Sequence, residues 1–181
     1  MTAIRSLCVF CGSSFGDSDV YRKAADDLGR KIAERGLDLV YGGGHVGLMG
    51  IVADSALSAG GTVTGIIPAH LRRAEVEHQG LTRLIEVDTM FARKAEMIRL
   101  ADAFVSLPGG IGTIDEAIEV LTLRQLGQHD KPSVLVDLDG YWRGFADLLD
   151  HVIDRHFARS SIRDFYKVVP DVPGVFAALD L

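Results

Sequence analysis

The sequence has few cysteines and no metal-ligand spacing, which argues against a disulfide framework or a structural metal. Its two cysteines, Cys8 and Cys11, lie in an apolar run typical of a buried strand, where residues three apart point to opposite faces. No second cysteine pair or histidine pair accompanies them at ligand spacing. We therefore interpret both as core thiols and predict no metal site.

Long hydrophobic runs and an excess of positive charge are also missing. No apolar run approaches the roughly 20 residues that a membrane helix needs, and the N-terminus lacks the pattern of a secretory signal. The net charge is −6, and the 19 lysines and arginines are scattered along the chain. We expect a cytoplasmic protein that binds neither membranes nor nucleic acids.

Strand and helix patterns alternate along the 181 residues, of which 48% are hydrophobic, and this composition predicts one domain over 1–181. Helical patterns fall near 17–36, 48–59, 89–101, 114–127 and 141–157, and a short strand and a closing helix are expected in 166–181. The alternation predicts an α/β fold with a mostly parallel sheet and helices on both faces. The apolar strand candidates are 4–11, 37–41, 62–67, 83–87, 103–107 and 133–138.

Three loops with unusual residues follow predicted strands: 11–14, which contains Ser13, 42–47, which contains Gly43, and 108–113. Loops at the carboxyl ends of parallel strands gather around ligands, so we expect these three to surround one pocket. The second loop fits the G-x-G-x-x-G spacing of a dinucleotide site, but no acidic residue follows at the distance that would bind the ribose. We therefore predict no NAD or FAD, while a contact to a nucleotide phosphate or ribose stays open.

The third loop has the residues of an anion site. Gly109, Gly110 and Gly112 allow a ligand to approach the backbone, and a helix predicted to begin near Thr113 would direct unpaired N–H groups at the same place. It is not a P-loop, because no Gly-Lys-Ser/Thr follows the glycines. The spacing Thr113-x-x-Glu116 also fits a capping box, in which Glu116 would only bind the helix start. Spacing alone leaves both interpretations open.

A wider pattern resembles a known family, the LOG ("Lonely Guy") phosphoribohydrolases that activate cytokinins. It is carried by Met90-x-x-Arg93-Lys94-x-x-Met97 and by the stretch from Pro108 through Gly112-Thr113 to Glu116. The resemblance implies a Rossmann-like, doubly wound fold and a homodimer with sites near the interface. It also implies hydrolysis of the N-glycosidic bond in N6-substituted adenosine 5′-monophosphates, and in AMP, to free base and ribose 5-phosphate, without metal or cofactor.

The resemblance suggests roles for individual residues. Glu116 would orient or deprotonate a water and stabilise the oxocarbenium-like ribose, with electrostatic support from Arg93. The 5′-phosphate would lie on N–H groups of the 108–113 loop, with the Thr113 hydroxyl and Lys94 nearby. The full set of predicted substrate contacts is Ser13, Gly43, Glu75, Lys94, Gly109, Gly110, Ile111, Gly112, Thr113 and Thr122.

Three departures from the family pattern leave the preferred base open. Ile111 stands where many relatives have an aromatic residue, Phe91 where many have histidine, and Leu123 where many have tryptophan. Two other functions stay open: a broader nucleotide 5′-monophosphate nucleosidase in salvage, and a non-catalytic nucleotide or cofactor carrier. Relatives have often been labelled lysine decarboxylases, but of the five lysines only Lys94 lies in the suspected pocket, where we interpret it as an anion contact.

Overall fold

The computed structural model describes residues 3–72 and 77–181, and within them strands and helices alternate along the chain. Short 3₁₀ segments lie at Leu138–Gly140 and Ser160–Phe165. No helix in these two ranges is long and apolar enough to cross a membrane. The elements are β1 (Ser6–Phe10), α1 (Asp19–Glu34), β2 (Asp38–Tyr41), α2 (Gly47–Ser58), β3 (Val63–Pro68), α3 (Ala69–Leu71), β4 (Arg83–Val87), α4 (Met90–Leu100), β5 (Ala103–Ser106), α5 (Ile111–Gln125), β6 (Ser133–Val136), α6 (Arg143–Asp154), β7 (Lys167–Val169) and α7 (Val172–Leu179).

The strands form one parallel sheet in the order β4-β3-β2-β1-β5-β6-β7. The chain builds outward from β1 in one direction through β4, then crosses back to β5 and builds in the other direction. The order therefore reverses between β1 and β5, which is where Rossmann-like sheets bind ligands. This confirms the predicted Rossmann-like, doubly wound fold.

Both faces of the sheet are covered. Helices α1, α2 and α7 pack on one face, and α4, α5 and α6 on the other. Successive residues of β1 alternate between these layers, so that Cys8 lies on the α4 side and Cys11 on the α1 side. Both thiols are free and buried, which confirms that they belong to the core.

Several helix boundaries differ by a few residues from the sequence prediction, and the start of α5 is the one that affects the site. The structure starts α5 at Ile111, with Gly110 as its N-cap in an extended conformation. Thr113 therefore lies inside the first turn, only 3% exposed, and cannot act as the cap. The predicted start near Thr113 was wrong, and so was the capping-box alternative for Glu116, because that motif requires Thr113 at the N-cap.

Candidate active site

The three glycine-containing loops meet at the point where the strand order reverses. Hydrogen bonds continue the β1–β5 pairing beyond the strands: Leu107 N–H donates to the Phe10 carbonyl at 2.9 Å, and Gly12 N–H to the Pro108 carbonyl at 3.1 Å. The Leu48 N–H at the start of α2 donates to the Gly12 carbonyl at 2.9 Å. The predicted convergence of these loops is confirmed.

Two glycines permit this close packing. Gly47 has a φ of +63°, and a Cβ there would collide with the backbone of Ser13. A Cβ on Gly109 would collide with the Thr113 hydroxyl and approach the Gly12 nitrogen. Larger residues at either position would force the loops apart.

A cavity of about 140 Å³ lies between these loops and helices α4 and α5. Six of the residues predicted from the sequence line it, namely Ser13, Arg93, Gly110, Gly112, Thr113 and Glu116. Cys11 and Gly42 also line it and belong to loops that were predicted to surround the pocket. The sequence interpretation had not assigned cavity positions to the remaining lining residues, Val9, Phe10, Met49, Met90 and Met97. Met90 and Met97 lie seven residues apart on α4, with Arg93 between them. This helical spacing was a signal in the sequence that could have identified them.

Arg93 is a buried cation whose hydrogen-bonding capacity is largely unused. It is 8% exposed, and its Nη2 lies 3.8 Å from Oε1 of Glu116, which is beyond hydrogen-bond distance. Its Nε has no hydrogen-bond partner among the described residues, and Nη1 reaches only the Met90 sulfur at 3.9 Å. Because an unpaired buried donor costs free energy, this arrangement favours a bound polar ligand.

Gly42 makes room for that guanidinium. A Cβ on Gly42 would collide with the Nη2 and approach the Cζ of Arg93. The sequence interpretation placed this glycine in a dinucleotide fingerprint. In the structure, the missing side chain at Gly42 instead allows the guanidinium of Arg93 to lie against the backbone.

Glu116 has the protonation properties of an acid or base that works near neutral pH. Burial raises the pKa of its carboxyl from 4.5 to about 7; the Arg93 charge opposes this effect and the Asp115 charge adds to it. A carboxyl with such a pKa takes up and releases protons readily at neutral pH. The geometry thus combines a cation and a proton acceptor in one cavity.

The start of α5 supplies an anion site at the same cavity. Its first hydrogen bond runs from the Ile114 N–H to the Gly110 carbonyl at 3.2 Å. The preceding N–H groups, those of Ile111, Gly112 and Thr113, therefore have no partner within the helix. Together with the helix dipole they suit a phosphate.

Other predicted site residues lie outside the cavity lining. The Lys94 ammonium binds Asp115 and Glu119, at 2.8 and 2.5 Å. Gly43 has a φ of +74°, and its carbonyl accepts from His78 N–H at 2.9 Å, so it holds the second loop in place.

Of four further predicted residues, the three that the structure describes contribute no side chain to the cavity. Gly109 packs beneath Thr113, and the exposed side chain of Ile111 leaves only its backbone available at the helix start. Thr122 is exposed on α5 beyond Glu116. Glu75 lies outside the described residues.

Comparison with known proteins shows the family of this chain. Residues 49–179 match a family described as possible lysine decarboxylase. The chain is 43% identical over 176 residues to the cytokinin riboside 5′-monophosphate phosphoribohydrolase LOG2 of Arabidopsis thaliana, covering 97% of this chain and 83% of that protein. The chain belongs to the LOG family. The resemblance noted in the sequence is thereby confirmed.

A second relative and one solved structure extend the comparison. This LOG-family chain is 44% identical over 176 residues to the probable cytokinin riboside 5′-monophosphate phosphoribohydrolase LOGL9 of Oryza sativa subsp. japonica, covering 97% of this chain and 78% of that protein. The molybdenum cofactor binding protein from Rippkaea orientalis superposes with a TM-score of 0.73 and 21% identity, covering 99% of this chain and 98% of that one. At that identity the likeness shows the fold alone.

Proposed function

We propose that this LOG-family protein hydrolyses the N-glycosidic bond of cytokinin riboside 5′-monophosphates, and of AMP, to free base and ribose 5-phosphate. The observation that carries the proposal is the buried Arg93–Glu116 pair beside the unpaired N–H groups of α5. The names of the LOG relatives support it.

The reaction needs charges of both signs around the sugar. As the bond between C1′ and the base nitrogen breaks, its electron pair leaves with the base and positive charge develops on the ribose. In its ionised form Glu116 stabilises that charge and accepts a proton from the water that attacks C1′. The proton that the water loses balances the proton that the departing nitrogen gains, so that one water is consumed and free base and ribose 5-phosphate result. Arg93 stabilises the negative charge that develops on the departing base.

The 5′-phosphate would bind at the start of α5. The N–H groups of Gly110, Ile111, Gly112 and Thr113 supply donors, and the Thr113 hydroxyl and Ser13 lie at the same cavity. Lys94 makes no direct phosphate contact in this arrangement, because Asp115 and Glu119 already surround its ammonium. We therefore replace its role as a substrate contact with a supporting one.

The same geometry opposes decarboxylation through a lysine Schiff base. Such chemistry needs an uncharged lysine amine facing the substrate. Burial alone would lower the pKa of Lys94, but hydrogen bonds to Asp115 and Glu119 outweigh it and raise the pKa above its ordinary value. Lys94 is thus held charged and outside the cavity lining.

We further propose that the protein acts in the cytoplasm as a homodimer with its sites near the interface. Phe91 and Ile111 are 79% and 87% exposed at the starts of α4 and α5, and Met90, which precedes Phe91, lines the cavity. Large apolar side chains at such exposure favour burial against a second copy. That copy would also cover the open side of the site.

The test is chromatographic detection of free base and ribose 5-phosphate after incubation with isopentenyladenosine 5′-monophosphate, AMP or isopentenyladenosine. We expect release from the monophosphates and little from the nucleoside, because only the monophosphates offer an anion to α5. Equal rates with and without phosphate would refute the phosphate site. A preference for AMP would indicate a salvage nucleosidase, and binding without release would indicate a carrier.

A further inference from the structure

Lys94 links the two helices that carry the proposed catalytic pair. It follows Arg93 on α4, is 9% exposed, and donates a hydrogen bond from Nζ to Oδ2 of Asp115 at 2.8 Å. The same Nζ lies 2.5 Å from Oε2 of Glu119. Asp115 and Glu119 are four residues apart on α5 and therefore share a face of that helix. One ammonium thus binds α5 on both sides of Glu116 in sequence.

The charges in this group act directly on Glu116. Beyond the larger effects of burial and Arg93, Asp115 and Glu119 each raise the pKa of Glu116, whereas Lys94 lowers it. Without the ammonium, two carboxylates would stand uncompensated beside a third that is already buried. Such like-charge neighbours favour the protonated form of a carboxyl group.

We propose that Lys94 is a positioning residue: its ammonium holds α4 against α5 so that Arg93 faces Glu116, and it neutralises the two carboxylates beside Glu116. Its effect on turnover rests on the proposed function, whereas its effect on the protonation of Glu116 does not. Lys94 is absent from the cavity lining, so it acts through Glu116 and Arg93 rather than on the substrate.

Apart from Arg93 and Lys94, the described titratable groups that act on Glu116 or Arg93 carry no positive charge. Arg93 is the second cation, and it also lies on α4. Cys8 and Cys11 approach from β1 and the loop after it, and burial raises the pKa of both thiols, so they stay neutral. Burial likewise raises the pKa of Tyr41 on β2. Among the described residues that interact with Glu116, Arg93 and Lys94 are therefore the cations.

The primary test is Lys94→Met, which keeps an unbranched apolar side chain and removes the charge. We expect the pKa of Glu116 to rise by about one unit, as for loss of a nearby opposite charge. The acidic limb of the pH profile of kcat/KM should move to higher pH by the same amount. Lys94→Arg should restore most of the profile because it keeps the charge.

Two further variants make the test independent of folding defects in Lys94→Met. Glu119→Gln removes one carboxylate and should move the pKa of Glu116 in the opposite direction, downward. Lys131→Met is the matched control: Lys131 also supports α4, donating to the Ile98 carbonyl at 2.7 Å, but does not act on Glu116. It should change stability and leave the acidic limb where it is.

The decisive readout is the titration of Glu116 itself, followed by carbon-13 NMR of side-chain carboxyls and assigned by the signal that Glu116→Gln lacks. Opposite shifts in Lys94→Met and Glu119→Gln support the role of Lys94. An unchanged Glu116 titration in either folded variant overturns it. If the wild-type protein releases no base, the proposed function fails, and the titration still decides what Lys94 does.

Discussion

At the residue scale, the arrangement of Arg93 and Glu116 lowers the stability of the folded protein and favours binding of a substrate. Both are buried, they face each other at 3.8 Å without a hydrogen bond, and the Arg93 Nε has no partner among the described residues. Burial of incompletely paired charges destabilises a folded protein. We infer that bound substrate completes the missing interactions, which is how active sites commonly use such strain.

The first prediction concerns stability and pH. The folded pKa of Glu116 is about 7 against an ordinary 4.5, so between these values the unfolded chain releases this proton while the folded protein keeps it. Wild type should therefore lose stability relative to Glu116→Gln as pH rises through this window, by on the order of 2 kcal/mol. Urea unfolding of both proteins at pH 5 and pH 8 measures it. A stability difference that is the same at both pH values would contradict the assigned pKa.

The second prediction concerns Gly42→Ala. The added methyl group would collide with the guanidinium of Arg93 and displace it from Glu116. A misplacement near 1 Å can lower turnover about a hundredfold, so we expect a loss of at least about tenfold with the fold retained. Gly144→Ala on α6, where an added Cβ meets nothing within 4 Å, is the control and should keep full activity. Normal turnover in Gly42→Ala would show that the position of Arg93 does not matter.

At the scale of elements, the N-cap of α4 supports the residues that this helix presents to the site. The Thr89 hydroxyl accepts from the Ala92 N–H at 3.1 Å, one residue before Arg93. The third prediction is that Thr89→Ala costs about 1 kcal/mol of stability and lowers kcat by fraying the turn that contains Arg93.

Asp171→Ala provides the matched control for this cap. The Asp171 carboxylate caps α7 by accepting from the Gly174 N–H at 2.8 Å, at a helix that does not line the site. It should cost similar stability in thermal unfolding and leave kcat unchanged. Equal kcat values in Thr89→Ala and Asp171→Ala would show that the α4 cap does not contribute to turnover.

Strands were predictable from the sequence because a parallel sheet covered on both faces needs apolar runs, and the runs match β1 to β6 within a few residues. The start of α5 was not, because local spacing favours a threonine cap. Thr113 is buried against Gly109, which itself packs against Gly12 about 100 residues away, and the cap lies at Gly110 instead. The partners of Lys94 escaped the sequence interpretation for the same reason, since no local pattern pairs α4 with α5.

At the scale of the whole molecule, the site forms only because β1 and β5 are neighbours where the strand order reverses. The loops after these strands, 96 residues apart where Phe10 pairs with Ser106, supply part of the cavity lining, together with the second loop and α4. The glycine-containing loops could be recognised one by one in the sequence. Their meeting point followed from the general rule for parallel sheets rather than from any residue pattern.

The fourth prediction tests the proposed homodimer. Light scattering should give a mass of twice the 19.6 kDa chain, and Phe91→Glu should weaken association because it places a charge in the proposed interface. Phe157→Glu is the control, since Phe157 is also largely exposed, at 86%, but follows α6. A monomeric wild-type protein would contradict the proposed dimer. Equal weakening by both substitutions would place the interface elsewhere.

The most direct test of the proposed hydrolase is turnover of isopentenyladenosine 5′-monophosphate by Glu116→Gln, with nucleotide binding measured on the same protein. The amide keeps the size of the side chain but cannot accept the proton of the attacking water. We expect base release to fall by at least about a hundredfold, the lower range for loss of a general base, while binding changes little. Release at the wild-type rate would contradict the role of Glu116 and leave the cavity without its proposed catalyst.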